Sequence, residues 1–209
     1  MAKRPVTRDR SIRVFINCPF DEEFEPLFLA YIAGLVTLGL LPVTVCDLPA
    51  STRLDRLCGL IDSCASSIHD LSRVQLSGAR TPVPRFNMPF ELGLSVRTRR
   101  HSWFLFESRP HRLQRSLSDL AGCDAYIHDD KPRGVLRELG KAFTWSSSKG
   151  MQPSTAVLET VYRQLVTASR ELKKTNHSKD LFDAHSIGKL IFAASEIANR
   201  AGGRRIRTP

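Results

Sequence analysis

Residues Ile12–Leu35, IRVFINCPFDEEFEPLFLAYIAGL, decide the fold. The first six form a nearly continuous apolar run, the pattern of a strand buried on both faces within a parallel sheet. Asp21, Glu22 and Glu23 then open a helix in which Phe24, Leu27, Phe28, Tyr31, Ile32 and Leu35 recur at helical spacing. Gly39 is placed to stop it. The same alternation continues down the chain. Val43–Cys46 reads as a second strand, and Ser51 or Thr52 caps a helix carrying Leu54, Leu57, Leu60 and Ile61. A third strand at Ser66–His69 stops at Asp70. Trp103–Phe106 is a fourth strand and Ala125–His128 a fifth, with helices at 89–98, 111–120 and 132–145. Strands and helices in strict alternation predict an α/β domain with a five-stranded parallel sheet. Right-handed crossovers leave few topologies, and a flavodoxin-like order 2-1-3-4-5 is the expectation.

The chain divides by composition. Residues 1–11 are a basic tail, 12–147 the α/β domain, and 201–209 a second basic tail. The segment 146–155, SSSKGMQPST, reads as a linker. Between it and the second tail, 153–200 holds two amphipathic helices, one on Leu158, Val161, Tyr162, Leu165, Val166 and Leu172, the other on Leu181, Phe182, Leu190, Ile191 and Ile197. This hairpin is expected to pack on itself first, then on a second subunit or the domain's flank. Homo-oligomerisation through the hairpin or the α/β domain follows, and a chain cut after Ser148 is expected to keep a folded domain.

The 209 residues carry a net charge of +10, of which 1–13 hold +4 and 200–209 hold +4. The body between is nearly neutral. Basic ends of this kind attract nucleic acid without sequence preference, but they need no partner, and nucleic acid is not the expected ligand. No apolar run is long enough to span a bilayer, so no membrane partner is expected. The five cysteines, Cys18, Cys46, Cys58, Cys64 and Cys123, form no CxxC pair and no zinc spacing. A reduced, cytoplasmic protein without a metal is the simplest reading. Walker A, GxGxxG and HExxH motifs are absent, which removes the sequence support for P-loop hydrolysis, Rossmann redox chemistry and zinc proteolysis.

In open α/β sheets a ligand binds beyond the carboxyl ends of the strands, where the strand order reverses. In order 2-1-3-4-5 that crevice lies between the first and third strands. Asn17, Cys18, Phe20 and Asp21 leave the first strand there, and Asp70 leaves the third. The long irregular segment 72–85, with Gly78, Pro82 and Pro84, ends in the same place. It runs into RFNMPFELGLS, residues 85–95, bringing Arg85, Asn87 and Glu91. Met88 precedes a proline and should be extended. Pro89 then takes the first helical position and Glu91 the third. Glu91 is the candidate catalytic residue; Asn17, Cys18, Phe20, Asp21, Asp70, Arg85 and Asn87 are candidate ligand-binding residues. Each has an ordinary structural role open to it: Asp21 as a helix cap, Asp70 in its own turn, and Phe15, Phe20, Phe86 and Phe90 as core aromatics that could also stack on a base. His69 reads as a packed histidine and is given no ligand role.

The run N-x-x-F-E-L-G, here Asn87, Phe90, Glu91, Leu92 and Gly93, resembles the glutamate motif of bacterial TIR-like domains, among them nucleotide-binding proteins of anti-phage signalling systems. VFINCPFDE, from Val14, is similar to the opening of TIR-like domains and of nucleoside 2-deoxyribosyltransferases. The resemblance covers about residues 12–130. Cys18-Pro19-Phe20 stands where the family has a small or serine-rich loop. The resemblance implies cleavage of an N-glycosidic bond, in NAD or a related nucleotide acting as substrate and not as cofactor, with Glu91 beside the ribose carbon. It also implies an alternative: a nucleotide-sensing or self-assembling adaptor without turnover.

Overall fold

The computed structural model describes residues 12–47, 53–73, 85–98, 102–110, 117–120, 122–144, 152–176 and 180–204. Five parallel strands form one sheet in the order β2-β1-β3-β4-β5: β1 Arg13–Asn17, β2 Leu41–Val43, β3 Ser66–Asp70, β4 Ser102–Glu107 and β5 Tyr126–Ile127. The expected α/β class and strand order both hold. In the register, Phe15 lies opposite Val43 on one side and Ser67 on the other. β1 is an inner strand covered on both faces, which is why its sequence is apolar without alternation.

β2 departs from the expectation. It ends at Val43, and Val45–Asp47 forms a single 3-10 turn. The turn brings Val45 into a cluster with Phe15, Leu57 and Ile61. Pro42 is tolerated because β2 is an edge strand, with only β1 as a neighbour. Of the helix expected over 111–120, residues 111–116 lie outside the described residues, and Ser118–Leu120 is one 3-10 turn. The segment 74–84, the N-terminal tail 1–11 and residues 205–209 of the C-terminal tail also lie outside them.

One face of the sheet carries α2, Arg53–Asp62, and α3, Asn87–Arg97. The two run side by side: Leu94 packs against the cluster holding Leu57 and Ile61, and Thr98 Oγ1 donates to Asp62 Oδ1 at 3.3 Å. The other face carries α1, Glu25–Thr37, and α4, Pro132–Ala142. The two approach closely at Gly34, where an added Cβ would come within 2.4 Å of Leu139 Cδ1.

Every residue of α1 from Leu27 to Thr37 is buried. A helix apolar all round needs cover on two sides. The sheet supplies one. The other is a hairpin of α5, Thr155–Asn176, and α6, Ala184–Ala201, which packs along α1. Leu158, Val161, Leu165, Leu181, Ile187, Leu190, Ala194 and Ile197 join the same core as Val14, Ile16 and Ile68 of the sheet. Lys173 of α5 reaches Glu25 of α1 at 2.6 Å. Asp183 caps α6 by accepting from the Ser186 amide, and Gly202, with φ 84°, ends it. The hairpin's apolar stripes therefore close over α1 in addition to meeting each other. Among the described residues, no helix is long and apolar enough to cross a membrane.

Candidate active site

The carboxyl ends of β1, β3 and β4 deliver Asn17, Asp70 and Glu107 to one edge, and His128 follows β5 directly. The period of two divides them between the faces. Asn17 faces α3, donating from Nδ2 to the Met88 carbonyl at 2.8 Å. The same amide nitrogen lies 2.9 Å from His69 Nδ1. With Nδ1 accepting, the ring proton sits on Nε2, 2.8 Å from Ser67 Oγ. His69 is thus a packed histidine, as its sequence context suggests. Asn17 ties together the ends of β1 and β3 and the first turn of α3.

The start of α3 corrects the expectation from the sequence. α3 begins at Asn87, after Phe86 at φ −64° and ψ −23°, so Met88 is helical and not extended. Pro89 becomes the third helical residue and Glu91 the fifth. Proline still costs nothing there, because the first four amides of a helix have no intrahelical partner. The shift turns Glu91 onto the buried face with Met88, Leu92 and Ser95.

Glu91 is 5% exposed. Among the described residues, no hydrogen-bond donor reaches its carboxylate. Burial pushes it up to about 7, against the pull of the Arg53 guanidinium at the start of α2.

Asp70 is the opposite case. It faces α1, where Tyr31 donates from its hydroxyl to Oδ2 at 2.7 Å. Ser72 donates to Oδ1 from its amide at 3.0 Å and from its hydroxyl at 2.5 Å. His128 Nε2 lies 3.1 Å from Oδ2, and its Nδ1 accepts from the Asp130 amide. Burial alone would raise the Asp70 carboxyl, but His128, Ser72 and Tyr31 together hold it below the ordinary value. Burial alone would lower His128, yet Asp70 raises it, helped by Asp130 and Glu107. Protein groups occupy both oxygens of Asp70, so it braces the floor of the crevice.

The remaining sequence candidates sort in the same way. Asp21 accepts from the Phe24 amide at 2.9 Å and from Arg85 at 2.8 Å, with Arg73 at 3.8 Å. Arg73 also bonds Glu23. Asp21 and Glu23 therefore tie Arg73 and Arg85, the residues on either side of segment 74–84, to the stretch that follows β1. Cys18 is buried. Burial and the neighbouring Asp70, Cys46, Glu91 and Asp21 push its thiol well up, which disfavours the thiolate. Phe20 packs edge-on against Phe28 and Phe182. Asn87 is exposed at the start of α3. Phe15 is core, but Phe86 and Phe90 are 72% and 52% exposed and are not core aromatics. Among the described residues, no group of three or more His, Cys, Asp or Glu side chains is placed to hold a metal ion.

No protein-family model matches the chain, and no curated protein matches it. The site is therefore read from its own geometry. Sequence reasoning passed over Tyr31, Ser72, His128 and Arg53. The rule that singled out Asp70, position at a strand's carboxyl end, applies equally to His128. Arg53 directly follows the expected cap of α2. Tyr31 carried no signal beyond being an apolar-face residue with a hydroxyl. Together the edge offers a carboxylate with no hydrogen bond among the described residues, an exposed guanidinium whose charge acts on it, and a hydrogen-bonded polar floor at Asp70. Such a site can hold and stabilise a positive charge beside Glu91.

Proposed function

We propose that this protein is a TIR-like enzyme that binds a nucleotide in the crevice between β1 and β3 and cleaves its N-glycosidic bond, with Glu91 as the catalytic residue. The observation that carries this reading is the Glu91 carboxylate, buried and without a protein donor among the described residues. Sites of this kind are where shifted carboxyls concentrate. As the C1′–N bond breaks, its electron pair leaves with the base and the ribose carbon becomes oxocarbenium-like. The carboxylate stabilises that charge or attacks the carbon. Water then adds at C1′ and releases a proton. NAD suits the site because its nicotinamide leaves as a neutral molecule. A cationic ribosyl-nicotinamide beside Glu91 also favours the ionised carboxylate that the reaction needs. Asn17 is a positioning residue, acting through the Met88 carbonyl on the turn that carries Glu91.

The test is to incubate the pure full-length chain with NAD, nucleosides and nucleotides and to follow released base by chromatography. Release from one member of the panel supports the proposal. Binding without release would favour a sensing or adaptor module, and neither binding nor release would end the nucleotide reading.

A further inference from the structure

The amino-acid sequence has two basic ends, and the fold brings them together. The stretch 1–13 leads into β1 through Ile12, whose carbonyl accepts from the Leu41 amide at the start of β2 at 2.9 Å. The Thr37 carbonyl, at the end of α1 and just before β2, accepts from the Arg204 amide, just past α6, at 2.9 Å. The chain therefore leaves its core beside the point where it enters. A third basic stretch, 97–101, RTRRH, runs from the last turn of α3 to the start of β4. Along the same rim the Arg13 carbonyl accepts from the Ala65 amide at 3.0 Å, and the Ala65 carbonyl from the Ser102 amide at 3.4 Å. Arg13 and Ser102 open strands two places apart in the sheet, a separation of roughly 10 Å. Residues 1–11, 99–101 and 205–209 themselves lie outside the described residues, and the residues that adjoin them fix the rim.

The strands are parallel, so the rim where they begin is the end of the sheet opposite the crevice. Stretches 1–13, 97–101 and 200–209 together carry +11 against +10 for the whole chain, so everything else sums to −1. Asp62, Asp119, Asp124 and Glu196, all counted as rim acids, still leave +7 there. Lys141, at the end of α4, is held by Glu138. Arg97 and Arg200 are exposed, and neither makes an ion pair with another described residue. At the crevice end, by contrast, exposed Arg109 and Lys131 share the rim with Asp21, Asp70, Asp129 and Asp130. Like charges gathered in one place repel, and a polyanion relieves that repulsion. Eleven of the twelve cations in the three stretches are arginine, whose planar fork fits phosphate. The stretches hold no Trp, Phe or Tyr, which membrane-surface segments sink into the headgroups and single-strand binders stack on bases. We infer that this rim binds the phosphate backbone of double-stranded nucleic acid, without sequence preference, and leaves the crevice at the other end open. The inference is independent of the Glu91 reading.

The test is fluorescence anisotropy of a labelled DNA duplex titrated with the full-length chain at several salt concentrations. Two double reversals remove the same net charge from opposite rims: Arg97→Glu with Arg200→Glu, and Arg109→Glu with Lys131→Glu. All four side chains are exposed, and melting curves check that both variants fold. Wild-type affinity should fall by about a hundredfold or more between ~50 and ~200 mM salt, the effect of four or more phosphate contacts. The Arg97 and Arg200 reversal should weaken binding at least about tenfold and lower the salt slope by about 2, one for each lost contact. The milder Arg97→Gln with Arg200→Gln should lower the slope by the same amount. The Arg109 and Lys131 reversal should change affinity by less than about threefold, because its charges lie beyond the screening length from the rim. Equal losses from the two reversals would assign the binding to bulk charge and overturn the inference. So would no duplex binding at ~50 mM salt, tighter binding to the single strand of the same sequence, or a preference for phosphatidylserine vesicles over the duplex.

Discussion

Replacing Glu91 with glutamine removes a buried charge and little volume. Burial moves this carboxyl from its ordinary 4.5 to about 7, against the opposing pull of Arg53. In the unfolded chain it titrates near the ordinary value. Below pH 4.5 both states hold the proton, and the native state pays no charge penalty. Stability is lost as the pH rises through the folded value, and above it the whole cost of an ionised, unpaired carboxylate is present. At about 1.36 kcal/mol per pH unit that cost is on the order of 3 kcal/mol. The glutamine amide is also short of partners, which takes back ~1 kcal/mol. The net gain of ~2 kcal/mol corresponds to a Tm higher by ~4–8 °C in a chain of this size. Glu91→Gln should therefore melt above wild type at pH 8 and close to it at pH 4.5, followed by circular dichroism. A stabilising loss of charge is the mark of a residue kept for function. A variant that melts at or below wild type at pH 8 would mean that the carboxylate already has its partner, and the site reading would lose its basis.

Leu165 is fully buried in the core that joins the hairpin to α1, so Leu165→Ala should cost ~2–5 kcal/mol and lower Tm by ~5–15 °C within a single transition. For the same reason a chain ending after Ser148, which strips the cover from α1, should show no cooperative melt at all, contrary to the expectation of a folded fragment from the sequence. Asp70→Asn should cost ~3–5 kcal/mol by breaking a buried ion pair, and should lower the His128 titration point seen by NMR. Gly134→Ala should reduce Tm sharply, because an added Cβ would lie 2.0 Å from the His128 carbonyl oxygen, and backbone must move to admit it.

The sheet was legible because the run Ile12–Asn17 betrays the double burial of β1, and because strands and helices alternate through β1, β2, β3 and β4. The edge position of Asn17, Asp70 and Glu91 followed from strand order alone. What each does there was not legible. Asp70 and His128 are 58 positions apart, and nothing local in either shows that they meet. The start of α3 was misplaced because the preference of a pre-proline residue is a local tendency, and Met88 is helical in the first turn all the same. The amphipathic stripes of α5 and α6 announced burial but not its partner. The clue lay in α1, whose lack of a polar face calls for cover on both sides.

The central claim is that Glu91 acts on the ribosyl carbon of a bound nucleotide. The most direct measurement is base release by wild type and Glu91→Gln under identical conditions, on whichever panel member the wild type cleaves, with both proteins shown to be folded. The account predicts a fall of at least about a hundredfold in kcat, the size usual for loss of one electrostatic stabiliser, with nucleotide binding retained. A folded Glu91→Gln protein that releases base as fast as wild type would contradict it.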